Sequence, residues 1–195
     1  VVDNTFYSPI YQRPIEDGAD IVLHSATKYL AGHNDVLAGV VVTNSLELYE
    51  QLFYNLNTTG AVLSPFDSYQ LIRGLKTLPL RMERSTVNAQ EVVAFLKASP
   101  AVKEVLYTGC GGMISFKVAD ESRIPHILNS LKVFSFAESL GGVESLITYP
   151  TTQTHADIPA EVRHSYGLTD DLLRLSIGIE DARDLIADLR QALEG

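Results

Sequence analysis

The stretch ADIVLHSATKYLAGHNDVLAGVVVTN (residues 19–44) contains two apolar runs of strand length, separated by a polar loop. The runs cover residues 19–26 and 37–44. Continuous apolar runs of this length are typical of strands that are covered on both faces. Ser25, Thr27 and Lys28 follow one another where the first run ends. Two hydroxyls at the end of a strand suit a phosphate group, and Gly32 lets the following loop turn tightly.

The rest of the chain alternates helical and strand-like segments. The N-caps Ser45 and Ser64 predict helices over 45–56 and 64–78, and a third helix is expected over 80–99. After Pro100, strands are predicted over 102–108, 111–118, 133–138, 145–150 and 171–180, and helices over 122–131, 159–167 and 181–194. We therefore predict an α/β domain over residues 1–95 and an α+β domain over residues 96–195.

Composition excludes several classes of protein. The chain has 195 residues, 46% of them hydrophobic, and a net charge of −9, which argues against a nucleic-acid or anionic-membrane partner. No apolar run approaches the roughly 18 residues that span a bilayer. The single cysteine, Cys110, excludes an internal disulfide and is typical of a cytoplasmic protein. His33 and Asp35 are too few for a metal site, so no metal is expected.

Lys28 is the residue with the clearest chemistry. An isolated lysine is usually a surface residue whose stem lies along apolar neighbours. A partly desolvated lysine, however, can form a Schiff base with a carbonyl. Asp3 ends the preceding strand-like run, and both side chains would share one crevice if the two strands are neighbours. A carboxylate, a Schiff-base lysine and phosphate-binding hydroxyls together favour pyridoxal phosphate as cofactor.

Several segments resemble one known family. They are VVDNTF (1–6), DIVLHSATKYLAGHNDVLAG (20–39), LIRGLKTLPLRM (71–82), AESLGGVESL (137–146), THADIP (154–159) and LLRLSIGIEDARDLIADLRQAL (172–193). The chain is similar to the pyridoxal-phosphate enzymes of cysteine and methionine metabolism, which include cystathionine γ-synthases, cystathionine lyases and homoserine-ester sulfhydrylases. The resemblance implies the C-terminal portion of an aminotransferase-like, fold type I, PLP-dependent transferase fold.

The resemblance also implies roles for individual residues. It places the cofactor on Lys28 as an internal aldimine, with Asp3 facing the pyridine nitrogen and Ser25 and Thr27 binding the phosphate. Arg174 matches the residue that binds the substrate α-carboxylate, a role that suits its planar fork. Ser139 matches the residue that positions the lysine amine and the substrate carboxylate.

The reaction type depends on Glu138. A carboxylate before the SLGG serine is more typical of γ-synthases and γ-lyases, and it could attract the amino group of a distal substrate or of an incoming cysteine. The resemblance favours γ-replacement on an O-acylated homoserine by cysteine to give cystathionine. A cystathionine β- or γ-lyase, an O-acetylhomoserine sulfhydrylase and a non-catalytic domain that only folds and associates remain alternatives.

Two features depart from the family pattern. The Gly-rich phosphate loop and the ring-stacking tyrosine of the family are absent, and residue 1 begins directly on a strand-like run. We therefore expect a missing N-terminal segment of the same protein. The resemblance also implies a homotetramer built as a dimer of dimers. The connection at residues 107–112 is shorter than in many relatives. We expect a genuinely short loop there, and an omitted segment is the alternative.

Overall fold

The computed structural model describes all residues from 1 to 195, and the chain divides into two compact units, Val1–Leu80 and Arg81–Gly195. The division lies inside one long helix. The predicted domain division between residues 95 and 96 stays a prediction, since units defined by packing need not coincide with the domains of a longer protein. No helix combines the length and the apolar character that a membrane crossing requires.

The first unit contains a three-stranded sheet in the order β1-β2-β3. β1 (Val2–Asp3) runs parallel to β2 (Val22–Ser25), and β3 (Gly39–Val42) runs antiparallel to β2. Its helices are α1 (Ser8–Tyr11), α2 (Leu46–Thr59), α3 (Pro65–Leu75) and the start of α4 (Leu78–Ala98). The strands at 19–26 and 37–44 are confirmed, with shorter bounds than the sequence predicts.

Local capping explains where two of these helices begin. The Ser45 hydroxyl accepts a hydrogen bond from Leu48 N–H, and the Ser64 hydroxyl accepts one from Asp67 N–H. Pro65 takes the first position of α3, where its missing N–H costs nothing. Both predicted N-caps are therefore confirmed. The short helix α1 was not predicted.

The prediction that both apolar runs are covered on two faces holds only for the first. β2 alternates buried and partly buried residues, whereas Val41 and Val42 of β3 are 49% and 41% exposed. β3 also forms an edge of this sheet, with a hydrogen-bonded neighbour on one side only.

The second unit contains a five-stranded sheet in the order β4-β5-β8-β7-β6. Its strands are β4 (Val102–Leu106), β5 (Met113–Val118), β6 (Ser135–Phe136), β7 (Leu146–Thr148) and β8 (Leu172–Ser176), and its further helices are α5 (Ile124–Ser130), α6 (Ala160–Ser165) and α7 (Ala182–Glu194). A single 3-10 turn, Glu121–Arg123, precedes α5. Only the β6–β7 pair is parallel. All the strands and helices predicted after Pro100 are present.

The core of the second unit lies between this sheet and the helices that pack on it. Leu185, Leu189 and Leu193 of α7 are buried, as their spacing on one helix face predicts, and Ile186 is partly buried beside them. Two hydrogen bonds hold the connection between β4 and β5. Tyr107 Oη donates to Gly111 O at 2.9 Å, and Gly111 N–H donates to Thr86 Oγ1 at 3.0 Å. These two hydrogen bonds hold the connection to itself and to α4, and the expectation of a genuinely short loop stays a prediction.

Candidate functional site

The end of β1 carries a carboxylate held by its own turn. Thr5 donates two hydrogen bonds to Asp3 Oδ1, from its N–H at 2.9 Å and from its hydroxyl at 2.6 Å. The hydroxyl bond, followed by the N–H bond, lowers the pKa of the Asp3 carboxyl, so Asp3 is ionised at neutral pH. Burial lowers the pKa of the nearby His24, which is therefore neutral at pH 7.

One hydroxyl joins the ends of β1 and β2. Thr5 Oγ1 accepts a hydrogen bond from Ser25 N–H at 2.8 Å while it donates to Asp3. This contact depends on the parallel register, which places Asp3 opposite Leu23. Thr5 is 8% exposed and makes three hydrogen bonds at this point. Sequence reasoning missed Thr5, although a threonine two residues after an aspartate is a known signal for such a turn.

Lys28 follows β2 on a tight turn. Lys28 N–H donates to Ser25 O at 3.1 Å, and Gly32 N–H donates to Lys28 O at 2.8 Å. Helix α3 packs directly on this turn, because a Cβ atom added at Gly74 would lie 2.2 Å from Ala31 O. The absence of a side chain at position 74 therefore lets α3 support the segment that carries Lys28.

Thr27 is placed differently from Ser25 and Lys28. Its hydroxyl accepts a hydrogen bond from Ala38 N–H at 3.0 Å and lies 3.3 Å from Ala38 O, so it ties the turn to the start of β3. The predicted role of Thr27 in phosphate binding stays a prediction.

Three of the predicted residues line one cavity of about 520 Å³: Asp3, Ser25 and Lys28. This volume lies within the usual range for small-molecule sites. The other lining residues are Asn4, Thr5, Phe6, Tyr7 and Gln12. Asn4 shapes the wall, since its amide donates to Ser8 O at 3.1 Å and to Gln12 O at 2.9 Å. The cavity thus combines an ionised carboxylate, a lysine and a hydroxyl.

In the second unit, Arg174 and Ser139 are brought together by the sheet. Arg174 lies on β8, the central strand, opposite Ser115 of β5 and Thr148 of β7. Its Nη2 donates to Ser139 O and to Thr148 Oγ1, each at 3.3 Å. Arg174 and Ser139 are partly buried, and the preceding Glu138 is exposed. The three predicted substrate-binding residues are therefore neighbours in the second unit.

Ser139 has a strained backbone. Its φ is +86°, in the left-handed region that non-glycine residues rarely adopt. Conformations of this kind persist only where the surrounding structure imposes them, and they are concentrated at functional sites. This strain supports a functional role for the segment that carries Ser139.

Comparison with known proteins then decides the family. A family model described as Cys/Met metabolism PLP-dependent enzyme matches residues 1–194. The chain belongs to this family. It is 58% identical over 193 residues to a cystathionine gamma-synthase/O-acetylhomoserine (thiol)-lyase of Bacillus subtilis, covering 99% of this chain and 52% of that protein. It is 52% identical over 210 residues to a cystathionine gamma-lyase of the same organism, covering 100% of this chain and 55% of that protein.

The structural comparison agrees with the family. A crystal structure of cystathionine gamma synthase from Xanthomonas oryzae pv. oryzae, in complex with aminoacrylate and cysteine, matches 99% of this chain and 55% of that chain, with a TM-score of 0.94 and 44% identity. The predicted fold class is thereby confirmed. The chain spans about half the length of the curated relatives it matches.

Pyridoxal phosphate is the cofactor of this family, and the cavity of the first unit fits it. An ionised carboxylate suits a protonated pyridine nitrogen, a lysine amine suits covalent attachment, and a serine hydroxyl suits a phosphate oxygen. Asp3, Lys28 and Ser25 provide these groups around one cavity. The assignment of the individual roles stays a prediction.

Proposed function

We propose that the complete protein catalyses γ-replacement on an O-acylated homoserine with cysteine, giving cystathionine and the free carboxylic acid. In this reaction the Cγ–O bond breaks, a Cγ–S bond forms, and the acyl group leaves as its carboxylate.

The observation that carries the choice is the length of the aligned region. The alignment with the relative named cystathionine gamma-synthase/O-acetylhomoserine (thiol)-lyase extends over 193 residues, which is 99% of this chain and no longer than the chain itself. The alignment with the gamma-lyase extends over 210 residues, which exceeds the 195 residues of this chain by 15. The gamma-lyase thus has at least 15 positions without a counterpart here, and this supports the synthase reading.

In the first unit, Lys28 and Asp3 would carry the chemistry. Bound pyridoxal phosphate supplies an electron sink that stabilises negative charge at the substrate Cα. Lys28 would hold the cofactor covalently, and its amine, when free, would remove the proton from the substrate Cα and move a proton at Cβ. The ionised Asp3 would keep the pyridine nitrogen protonated, because a negative charge stabilises the protonated form. The Ser25 hydroxyl would donate a hydrogen bond to the phosphate.

In the second unit, Arg174 and Ser139 would hold the substrate. The Arg174 guanidinium binds the α-carboxylate through two parallel hydrogen bonds, and Ser139 orients that carboxylate. The exposed Glu138 attracts the ammonium group of the incoming cysteine and so favours replacement over release.

A carbon–sulfur lyase is the second candidate, because relatives named cystathionine gamma-lyase and cystathionine beta-lyase also match the full chain. Such an enzyme would use the same residues for the early proton transfers and would end in elimination, releasing a keto acid and ammonia. A homotetramer is proposed on the family resemblance alone, and the mass of the complete protein in solution tests it.

The two candidate functions are separated by their products. The complete protein, loaded with cofactor, is incubated with O-acetylhomoserine plus cysteine, and separately with cystathionine alone. Cystathionine from the first mixture, with little keto acid from the second, would support γ-replacement. Pyruvate or 2-oxobutyrate from the second mixture, with no synthesis in the first, would overturn it in favour of a lyase.

A further inference from the structure

Residues 137–145, which we name the strap, link β6 to β7 and carry Glu138 and Ser139. The first half of the strap is bonded to β7 and β8 at alternate residues. Ala137 O accepts from Thr148 Oγ1 at 3.0 Å, and Ser139 O accepts from Arg174 Nη2 at 3.3 Å. Gly141 N–H then donates to Ser176 Oγ at 2.8 Å, a contact that is buried.

The second half of the strap is bonded to the segment that follows β8. Val143 O accepts from Ile179 N–H at 2.9 Å. Glu180 then binds both polar groups of Ser145, since Oε1 accepts from Ser145 N–H at 2.6 Å and Oε2 accepts from the Ser145 hydroxyl at 2.9 Å. Ser145 is fully buried. Hydrogen bonds to a charged acceptor are about twice as strong as neutral ones. The contact between Glu180 and Ser145 is therefore the strongest one that holds the strap.

Glu180 is itself held in place by the elements around it. The Asn88 amide of α4 donates to Glu180 O at 2.8 Å and to Gly178 O at 3.1 Å. Gly178 N–H donates to Ser145 Oγ at 2.9 Å. A Cβ atom at Gly178 would lie 2.1 Å from Val143 O, so only glycine allows this close approach. The carboxylate of Glu180 therefore meets Ser145 from a fixed position.

The strap needs such fixation because of Ser139. A residue with φ of +86° relaxes toward a negative φ unless its neighbours prevent it. The contacts at Ala137, Gly141 and Ser145 hold the strap on both sides of Ser139. If the strap relaxed, the Ser139 carbonyl would move away from Arg174.

We propose that Glu180 is a positioning residue that holds the strap through Ser145 and thereby fixes Ser139 and Arg174 for binding of the substrate α-carboxylate. The inference rests on the proposed function for the identity of the substrate group. Glu180 does not touch the substrate and moves no proton. Its effect passes through the backbone of the strap.

The test compares Glu180→Gln with Glu194→Gln in the complete protein loaded with cofactor. A glutamine side chain has one acceptor oxygen, whereas Ser145 presents two donors, its N–H and its hydroxyl. One of the two hydrogen bonds is therefore lost, and the glutamine NH2 group faces a donor of Ser145. Glu194 is exposed near the end of α7 and takes the same change in charge. Ser145→Ala is a second variant, which keeps the backbone N–H and removes the hydroxyl contacts with Glu180 and Gly178.

Two readouts are needed. The first is hydrogen exchange, followed by mass spectrometry, of peptides that cover residues 137–148 without substrate. The second is the change in KM and the change in kcat for O-acetylhomoserine, determined separately for each variant. We expect faster exchange in the strap and a KM raised about tenfold, with a smaller change in kcat, in Glu180→Gln alone. In the double variant with Ser145→Ala, the two effects should add only in part, because both changes remove the contact between Glu180 Oε2 and the Ser145 hydroxyl.

The outcomes separate the inference from the proposed function. Unchanged exchange of the strap in Glu180→Gln, or faster exchange with an unchanged KM, overturns the positioning role. Equal effects in Glu194→Gln also overturn it. A wild-type protein that turns over neither O-acetylhomoserine nor cystathionine refutes the proposed function instead, and the exchange comparison then still decides whether Glu180 holds the strap.

Discussion

Replacing Thr5 by valine removes the hydroxyl that joins Asp3 to Ser25 and keeps the size and branching of the side chain. Two hydrogen bonds are lost, a donor to Asp3 Oδ1 at 2.6 Å and an acceptor for Ser25 N–H at 2.8 Å. Thr5→Ser is the matched control, because it keeps the hydroxyl and removes only a methyl group.

The expected cost follows from these two bonds. A hydrogen bond to a charged group contributes about 1.5–3 kcal/mol, and the lower end applies here because Asp3 is exposed and water replaces part of the contact. Ser25 N–H loses its acceptor in a partly buried position, which costs about 1 kcal/mol or more. We expect the free energy of unfolding of the first unit to fall by roughly 2–3 kcal/mol in Thr5→Val.

Urea unfolding of the cofactor-free protein measures this change, and titration with pyridoxal phosphate measures the consequence for the site. A loosened Asp3 carboxylate should weaken cofactor binding by about tenfold, which corresponds to about 1.4 kcal/mol. Equal stability and equal cofactor affinity in Thr5→Val and Thr5→Ser would refute the reasoning, because the hydroxyl is the group in which these two variants differ most.

The pH dependence provides a second check on the same contact. The Asp3 pKa is lowered in the folded protein by the hydrogen bonds from Thr5, so Asp3 stabilises the fold above its unfolded pKa. This contribution is lost as pH falls through the folded pKa. The stability difference between wild type and Thr5→Val should therefore shrink on acidification below about pH 4. A difference that stays constant from pH 7 to pH 3 would contradict the assignment.

Three further predictions concern the predicted site residues. Lys28→Ala should abolish the visible absorbance of the bound cofactor while far-ultraviolet circular dichroism stays unchanged; a retained band would place the covalent attachment elsewhere. Arg174→Lys should raise the KM for the amino-acid substrate at least about tenfold, since a point charge replaces a planar fork, with the cofactor band retained; an unchanged KM would remove Arg174 from carboxylate binding. Glu138→Tyr should raise cystathionine breakdown relative to synthesis. An unchanged ratio of products would show that Glu138 does not determine the reaction type.

Local signals allowed the main elements to be predicted. Ser45 and Ser64 begin helices because their hydroxyls accept a nearby backbone N–H, an interaction that spans three residues of sequence. The spacing of Leu185, Leu189 and Leu193 places them on one face of α7 in any surroundings. Lys28 could be proposed as the reactive residue because hydroxyls and a glycine surround it within five residues. These signals depend on the covalent order of the chain alone.

Other features depend on which strands become neighbours. The contact between Thr5 and Ser25 joins residues 20 apart and exists only because β1 and β2 pair in parallel with one register. The strap is held by Glu180, 35 residues beyond Ser145, because the sheet order places β7 beside β8. A shift of one residue in either register would turn these side chains to the opposite face.

The sequence by itself therefore determined the family, most of the helices and strands, and the reactive types of residue, since these follow from local spacing and from the match of long segments. Only the tertiary structure decided that Asp3, Ser25 and Lys28 line one cavity, that Thr27 bonds to Ala38 and that the strained Ser139 contacts Arg174. The physical reason is that strand register and sheet order result from the packing of the whole core, which no local pattern encodes.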